Sequence, residues 1–410
     1  MNIYLVIILT ILIGEYLLDL IVEHLNVRAL GLKLPEEFVG FYDAAKYKKS
    51  QSYLKENTNF RLVKDTILTL IILTFILVGG FNVVDNFARS FNLGIIPTGL
   101  IFAATLMLAI RLLSIPFSVY RTFVLEEKFG FNRTTFKTFI LDIVKGLILG
   151  AIIGGIIFSA ILWFFAKTGK WAWIYCWLGV SSFQLFLVFI APVVILPLFN
   201  KFIPLRNGEL KEAIEQYARA QDFKIKGIFK MDASRRSSKA NAFFTGFGKS
   251  RRIALFDTLI EKQSVDELVS ILAHEIGHYK KKHIIKSVAL AILTNGVMFF
   301  ILSLFIENPG LFAAFQMEAT SIYASLFFFG FLYAPINMLF SVLSSFLSRR
   351  REYEADNYAV ATYGKAPAFI RALKKLTVDN LSNLTPHPLK VFFDYSHPPV
   401  LKRIQAIRDL

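Results

Sequence analysis

Apolar stretches about 20 residues long recur along this chain, and that is the length an α-helix needs to cross roughly 30 Å of hydrocarbon. Seven can be read, over residues 3–22, 66–84, 99–119, 139–166, 172–197, 285–306 and 322–347. A soluble domain is about 45–50% apolar and about 25% charged. Here 55% of 410 residues are hydrophobic and 19% charged, more apolar surface than water-soluble cores can hide. The sequence therefore specifies a mainly α-helical membrane protein. The first stretch is expected to remain as a helix rather than act as a cleaved signal, because it lacks a basic start and a small-residue cleavage site and carries Glu15 and Asp19.

The same figures exclude other classes. Forty-two phenylalanines against 30 acids do not suit a disordered chain. A disulfide framework is excluded because Cys176 is the only cysteine. The net charge of +16 does not point to nucleic acid, since the basic residues fall in loops between apolar stretches. Loops 22–65 and 120–138 are rich in Lys and Arg, whereas the intervening loops hold little more than Arg89, Lys167 and Lys170. By the positive-inside rule the basic loops, the segment 198–284 and the C-terminal segment face the cytoplasm. The expected organisation is a five-helix membrane domain (1–197), a cytoplasmic segment (198–284), two further membrane helices (285–347) and a C-terminal cytoplasmic segment (348–410). Within 198–284, an amphipathic helix over 208–221 and alternating strands over 224–231 and 251–256 make a small α+β module. There is no internal repeat.

Glu15, Asp19, Arg111, Asp142, Lys145, Gln184, Asn295 and Asn337 lie inside the spans. Each is costly in hydrocarbon. They are either structural pairs, such as Asp142 with Lys145 at i, i+3, or the lining of a hydrated chamber; composition does not choose.

The run LAHEIGH at 272–278 contains an HExxH motif. On a helix His274 and His278 share a face at i, i+4, so both imidazoles can bind one Zn²⁺, with Glu275 beside them to act on water. Ser264 and Glu267 form a capping box that starts this helix. His283, five residues past His278, is expected on a different face, at the membrane interface. A catalytic zinc takes three protein ligands, so one more is needed. The best candidate is in SRRREYEAD at 348–356, where Glu352 and Asp356 share a helical face and Glu354 points elsewhere. Glu352 can ligate, and Asp356 can accept the remaining N–H of a ligating histidine. In DYSHPPVLKR at 394–403, Pro398 and Pro399 open a terminal helix and set His397 and Arg403 as oxyanion donors.

HExxH, SRxxEYxAD and SHPPxxxR among multiple spans resemble the Ste24 family of membrane zinc metalloproteases, the type I CAAX prenyl endopeptidases. The runs EEKFGFNRTT at 126–135 and LPLFNKF at 196–202 resemble that family too. SKANAFFTGF at 238–247 is similar to the family segment whose edge strand aligns the substrate backbone. The resemblance implies seven spans around a water-filled chamber, with the zinc site near its cytoplasmic end. It implies one Zn²⁺ held by His274, His278 and Glu352, Glu275 as base and proton donor, and Asp356 as partner of a ligating histidine. His397 and Arg403 would stabilise the tetrahedral intermediate, and Asn241 and Ala242 would offer backbone hydrogen bonds to an extended peptide.

The expected function is thus membrane zinc endopeptidase, acting on peptide or protein substrates that carry a C-terminal prenyl group. The rival readings are a quality-control protease with no prenyl requirement, and a transporter whose metal is structural. A monomer in contact with the lipid bilayer is expected, and the short tail and loops favour a bacterial inner membrane over an endoplasmic reticulum membrane.

Overall fold

The computed structural model describes residues 2–31, 33–245 and 252–410, with backbone only for 242–245. Six helices are long and apolar enough to span a bilayer, and a bent pair makes a seventh when taken as one span. In chain order these are α1 (Ile3–Arg28), the pair α2 (Ala44–Leu77) and α3 (Gly80–Arg89), α4 (Ile95–Tyr120), α5 (Phe136–Lys167) and α6 (Ala172–Ile190) with the short α7 (Leu196–Phe199). Next comes a module of β1 (Phe202–Pro204), α8 (Glu209–Ala220), β2 (Gly227–Met231), β3 (Ala242–Thr245), β4 (Arg252–Phe256), α9 (Asp257–Ile260) and α10 (Val265–Lys280). The chain re-enters the membrane as α11 (His283–Ser303), turns through α12 (Pro309–Ala314) and returns as α13 (Ile322–Tyr363). It closes with α14 (Ala366–Asp379), α15 (Pro388–Asp394) and α16 (Val400–Arg408).

The expected second span, 66–84, is not a straight helix. It breaks after Leu77 and the chain turns by 66° into α3. Gly79 adopts a left-handed φ of 71°, which glycine alone takes without strain, and a Cβ on Gly80 would lie 2.4 Å from the Phe75 ring. The apolar window runs straight across this pair, so hydropathy alone misses the corner.

The spans pack as a circuit: α1 on α2, α2 through α3 on α4, then α5, α6, α11, α13 and back to α1. A solid bundle buries an inward stripe on each helix. Here at most 17% of any continuous span window is buried, so the ring encloses open space. Clusters of large side chains close both ends. Ile8, Ile76, Phe81, Phe102, Leu162 and Phe328 pack together opposite the basic loops, and Phe38, Tyr47, Tyr53, Phe131, Leu384 and Ile404 pack at the other end.

The polar residues of the spans divide accordingly. Asp19 pairs with Arg61 at 3.2 Å, and Asn295 Nδ2 donates to Gln184 Oε1 at 2.9 Å. Asp142 does not pair with Lys145. It takes Arg236 Nε and Nη2 at 2.7 and 2.9 Å, while Lys145 donates to the Leu198 carbonyl, because each finds a partner from another element at its own height. Glu15 and Arg111, part-exposed, make no hydrogen bond or ion pair among the described residues, a state that hydrated space tolerates and hydrocarbon does not.

The sheet order is β1-β2-β4-β3, with β2 and β4 parallel and both outer strands antiparallel. The two expected strands are its centre; the first starts later than read, at Gly227, and the second is described from Arg252, residue 251 lying outside the described residues. β3 is an edge strand.

Candidate metal centre

Helix α10 starts on the expected capping box, with Glu267 N–H donating to Ser264 Oγ and Ser264 N–H to Glu267 Oε2 at 2.8 Å. Its apolar residues Leu268, Val269, Leu272, Ala273 and Ile276 are buried in the core of the module, which fixes the rotation of the helix and sends His274 and His278 toward α13. Gly277 lets the two helices touch. A Cβ there would lie 3.2 Å from the Ala355 Cα and carbonyl oxygen. Helix α13 leaves the membrane without a break in the chain near 347, so Glu352 and Asp356 stand one turn apart on its buried face.

The two faces interlock. His274 Nε2 lies 3.1 Å from His278 Nε2 and 3.4 Å from Glu352 Oε2, and His278 Nε2 lies 3.2 Å from Glu352 Oε1. Four bonds of about 2.0–2.1 Å at tetrahedral angles place ligand atoms roughly 3.3 Å apart, so two imidazoles and a carboxylate fit a His₂Glu zinc site. Glu352 Oε2 is buried and makes no hydrogen bond, although Arg403 and His274 stand 3.4 Å away. A bound cation would supply what that oxygen lacks.

Asp356 Oδ1 accepts from His274 Nδ1 at 2.8 Å, and the carboxylate receives Arg403 as a bidentate pair, Nε on Oδ2 at 2.8 Å and Nη2 on Oδ1 at 2.6 Å. Burial would push the Arg403 guanidinium down, but Asp356 and Glu352 hold it above its ordinary value. Burial likewise works against the His274 imidazolium, yet Asp356 and Glu352 raise it to about 9 in the metal-free protein. Pro399 is the N-cap of α16, as the Pro-Pro pair predicts, and carries Arg403 into place. His397 is exposed, with Nε2 3.5 Å from Glu352 Oε1. Glu275 is half-buried and lines a cavity of about 280 Å³ with His278 and Ser287, while His397 and Arg403 line a second, of about 630 Å³. β3 packs beside α10. The Asn241 carbonyl accepts from Phe256 N–H at 3.3 Å, so in this ladder Ala242 and Phe244 turn their backbone groups to the open edge.

Two family models match the chain, one described as the CAAX prenyl protease N-terminal domain with five membrane helices over residues 23–201, the other as peptidase family M48 over 204–410. The chain belongs to peptidase family M48. A CAAX prenyl protease 1 homolog of Oryza sativa subsp. japonica is 35% identical over 99% of this chain and 97% of its own. CAAX prenyl protease 1 of Saccharomyces cerevisiae is 34% identical over 92% of this chain and 88% of its own. The crystal structure of S. mikatae Ste24p superposes with a TM-score of 0.94 at 32% identity, covering 98% of this chain and 99% of that one. The protein is an integral-membrane metalloendopeptidase of the M48 family.

One neighbour of the candidate metal centre, His283, lies on a face other than the expected one. It is buried, with Nδ1 2.9 Å from His278 Nδ1 and Nε2 3.1 Å from Glu354 Oε2. The expected different face supposes that the helix of His278 runs on for five more residues. In fact α10 ends at Lys280 and Lys282 turns with φ 58°, so His283 starts a new helix and folds back onto His278. Glu354 points away from the metal ligands but toward His283. The runs outside the centre act as a strap. Glu126 accepts from Tyr53 and Lys239, Arg133 N–H donates to the Arg236 carbonyl, and Ser238 N–H to the Phe131 carbonyl, which ties the membrane domain to the residues leading into β3.

Proposed function

We propose that this M48 metallopeptidase holds one zinc ion per chain and removes C-terminal residues from membrane-associated, prenylated peptides of the CAAX type. The observation that carries the reading is the meeting of His274 Nε2, His278 Nε2 and the Glu352 carboxylate within 3.1–3.4 Å, with Glu275 and an open strand edge beside them. The names of the curated relatives support the substrate class.

Zinc, when bound, supplies Lewis acidity at the scissile carbonyl. Glu275 takes a proton from the attacking water as its oxygen bonds to the carbonyl carbon, and delivers it to the amide nitrogen as the C–N bond breaks. Arg403 uses Nε and Nη2 on Asp356, which leaves Nη1, 3.4 Å from Glu352, as its donor toward a developing oxyanion. His397 closes over the same place from the exposed side. Asp356 keeps His274 in the tautomer that presents Nε2. The substrate backbone adds to β3 at Ala242, with Asn241 anchoring the strand to β4. The basic loops support a cytoplasmic active site, the self-closing ring supports a monomer, and the short loops support a bacterial inner membrane.

The test is zinc per chain by elemental analysis together with cleavage of a farnesylated CAAX peptide and its unlipidated twin, for wild type and Glu275→Gln. One zinc in both proteins, with cleavage only by wild type and only of the lipidated peptide, is the expected result. Equal cleavage of both peptides replaces the prenyl substrate with a quality-control role. Zinc without cleavage of either overturns the reading.

A further inference from the structure

His278 and His274 present the same atom, Nε2, to the proposed metal, and a neutral imidazole that gives its Nε2 lone pair to a metal carries its proton on Nδ1. That N–H needs an acceptor, because a ligating histidine with an unanchored ring swings and loses basicity. For His274 the acceptor is Asp356, at 2.8 Å. No carboxylate oxygen meets His278 Nδ1 in this way among the described residues. What meets it is His283 Nδ1, 2.9 Å away.

The proton inventory then has a single solution. His278 Nδ1 is the donor, so His283 Nδ1 is the acceptor and the His283 proton sits on Nε2. There it faces Glu354 Oε2 at 3.1 Å, an oxygen suited to receive it. Every donor in the series finds an acceptor: His278 Nδ1–H to His283 Nδ1, and His283 Nε2–H to Glu354. His283 is only 3% exposed and its ring stands at 74° to that of His278 with centroids 5.0 Å apart, so this contact is set by packing. Arg350, one turn before Glu354 on α13, lies 3.7 Å from its other oxygen and holds the carboxylate toward α11. His283 is not itself a fourth ligand. Its Nδ1 is occupied by His278 and its Nε2 by Glu354, on the side of His278 away from His274 and Glu352.

We propose that His283 and Glu354 are positioning residues for the metal centre: they fix the tautomer and ring orientation of His278 through a two-step hydrogen-bond relay, as Asp356 does for His274 in one step. The relay joins the first residue of α11 to the metal-bearing stretch of α13, so the second zinc histidine is oriented from the membrane side and the first from the cytoplasmic side. This rests on the proposal that His274, His278 and Glu352 bind zinc.

The test measures metal binding rather than turnover. Zinc affinity is read by chelator competition, and the visible absorption spectrum is taken after replacement by Co²⁺, for full-length wild type, His283→Ala, His283→Gln, Glu354→Ala and Glu354→Gln. The expected results are a 10- to 100-fold weaker zinc affinity and an altered Co²⁺ spectrum for His283→Ala, with a smaller loss for Glu354→Ala. His283→Gln, whose amide can accept from His278 and donate to Glu354, should recover most of the affinity, as should Glu354→Gln. The metal-free variants should melt with metal-free wild type. If His283→Ala fails to fold, Glu354→Ala alone decides. Wild-type affinity and spectrum in both alanine variants, or a loss that the glutamine variant does not restore, overturns the relay. No zinc in wild type overturns the metal reading instead.

Discussion

Gly277 of the HExxH helix rests directly on Ala355 of α13, the residue between Glu354 and Asp356, where the two helices that carry the proposed zinc ligands meet. Gly277→Ala should cost about 1 kcal/mol and Gly277→Val about 1–3 kcal/mol, since neither backbone atom of Ala355 can yield without moving a helix. Zinc content after gel filtration and the melting temperature in detergent should fall together, valine below alanine. A valine variant that loads zinc and melts like wild type would show that the contact does not set the spacing.

The raised His274 pKa has a definite sign. Its folded value of about 9 exceeds the ordinary 6.5, so the pairing of imidazolium with Asp356 and Glu352 stabilises the metal-free protein fully below about pH 6.5 and is lost as pH rises through 9. Metal-free protein should therefore melt lower at pH 9.5 than at pH 6.5. Zinc uptake at pH 7.5 should release about one proton from this residue. Calorimetric titration in buffers of different ionisation enthalpy counts that proton, and finding none would contradict the assignment.

Ala242→Pro removes one N–H from the open edge of β3 and none from the ladder to β4. KM for a peptide substrate should rise about 5- to 10-fold, the worth of roughly one hydrogen bond, with kcat nearly unchanged. Phe243→Pro, one residue on, removes a ladder bond and should lower stability instead. Unchanged KM in Ala242→Pro would remove strand addition from the substrate model.

The Asp142–Arg236 pair joins α5 to the chain that leads into β3, with both side chains about a quarter exposed. Asp142→Asn and Arg236→Gln should each lower stability by about 1–3 kcal/mol, and the double variant by less than their sum. A thermal double-mutant cycle measures the coupling. Strict additivity would make the two residues neighbours without a functional bond.

What the sequence could reveal was whatever a local period carries. The spans follow from windows of about 20 apolar residues, and the shared face of His274 and His278, like that of Glu352 and Asp356, follows from i, i+4 spacing. Arg236 meeting Asp142, by contrast, brings together residues 94 apart, and no pattern around either names the other. The corner at Gly79 was written in a glycine pair but masked by its apolar surroundings. His283 was misread because one helical wheel was continued through Lys282, where the chain turns; the three lysines before it were the signal that the helix ended. The partners of the His274 face were legible because motif and resemblance both named them, while the His278 side needed three dimensions.

The proposed metal-binding group is divided along the chain. His274 and His278 precede α11, Glu352 follows two further membrane crossings, and Arg403 comes later still. On the ligand set proposed above, a chain that has inserted only five or six spans lacks its third ligand. The proposed centre is complete only when the last crossing is threaded and the C-terminal helices have docked. Correct insertion is thus a condition of enzymatic competence, and a misinserted copy stays chemically silent.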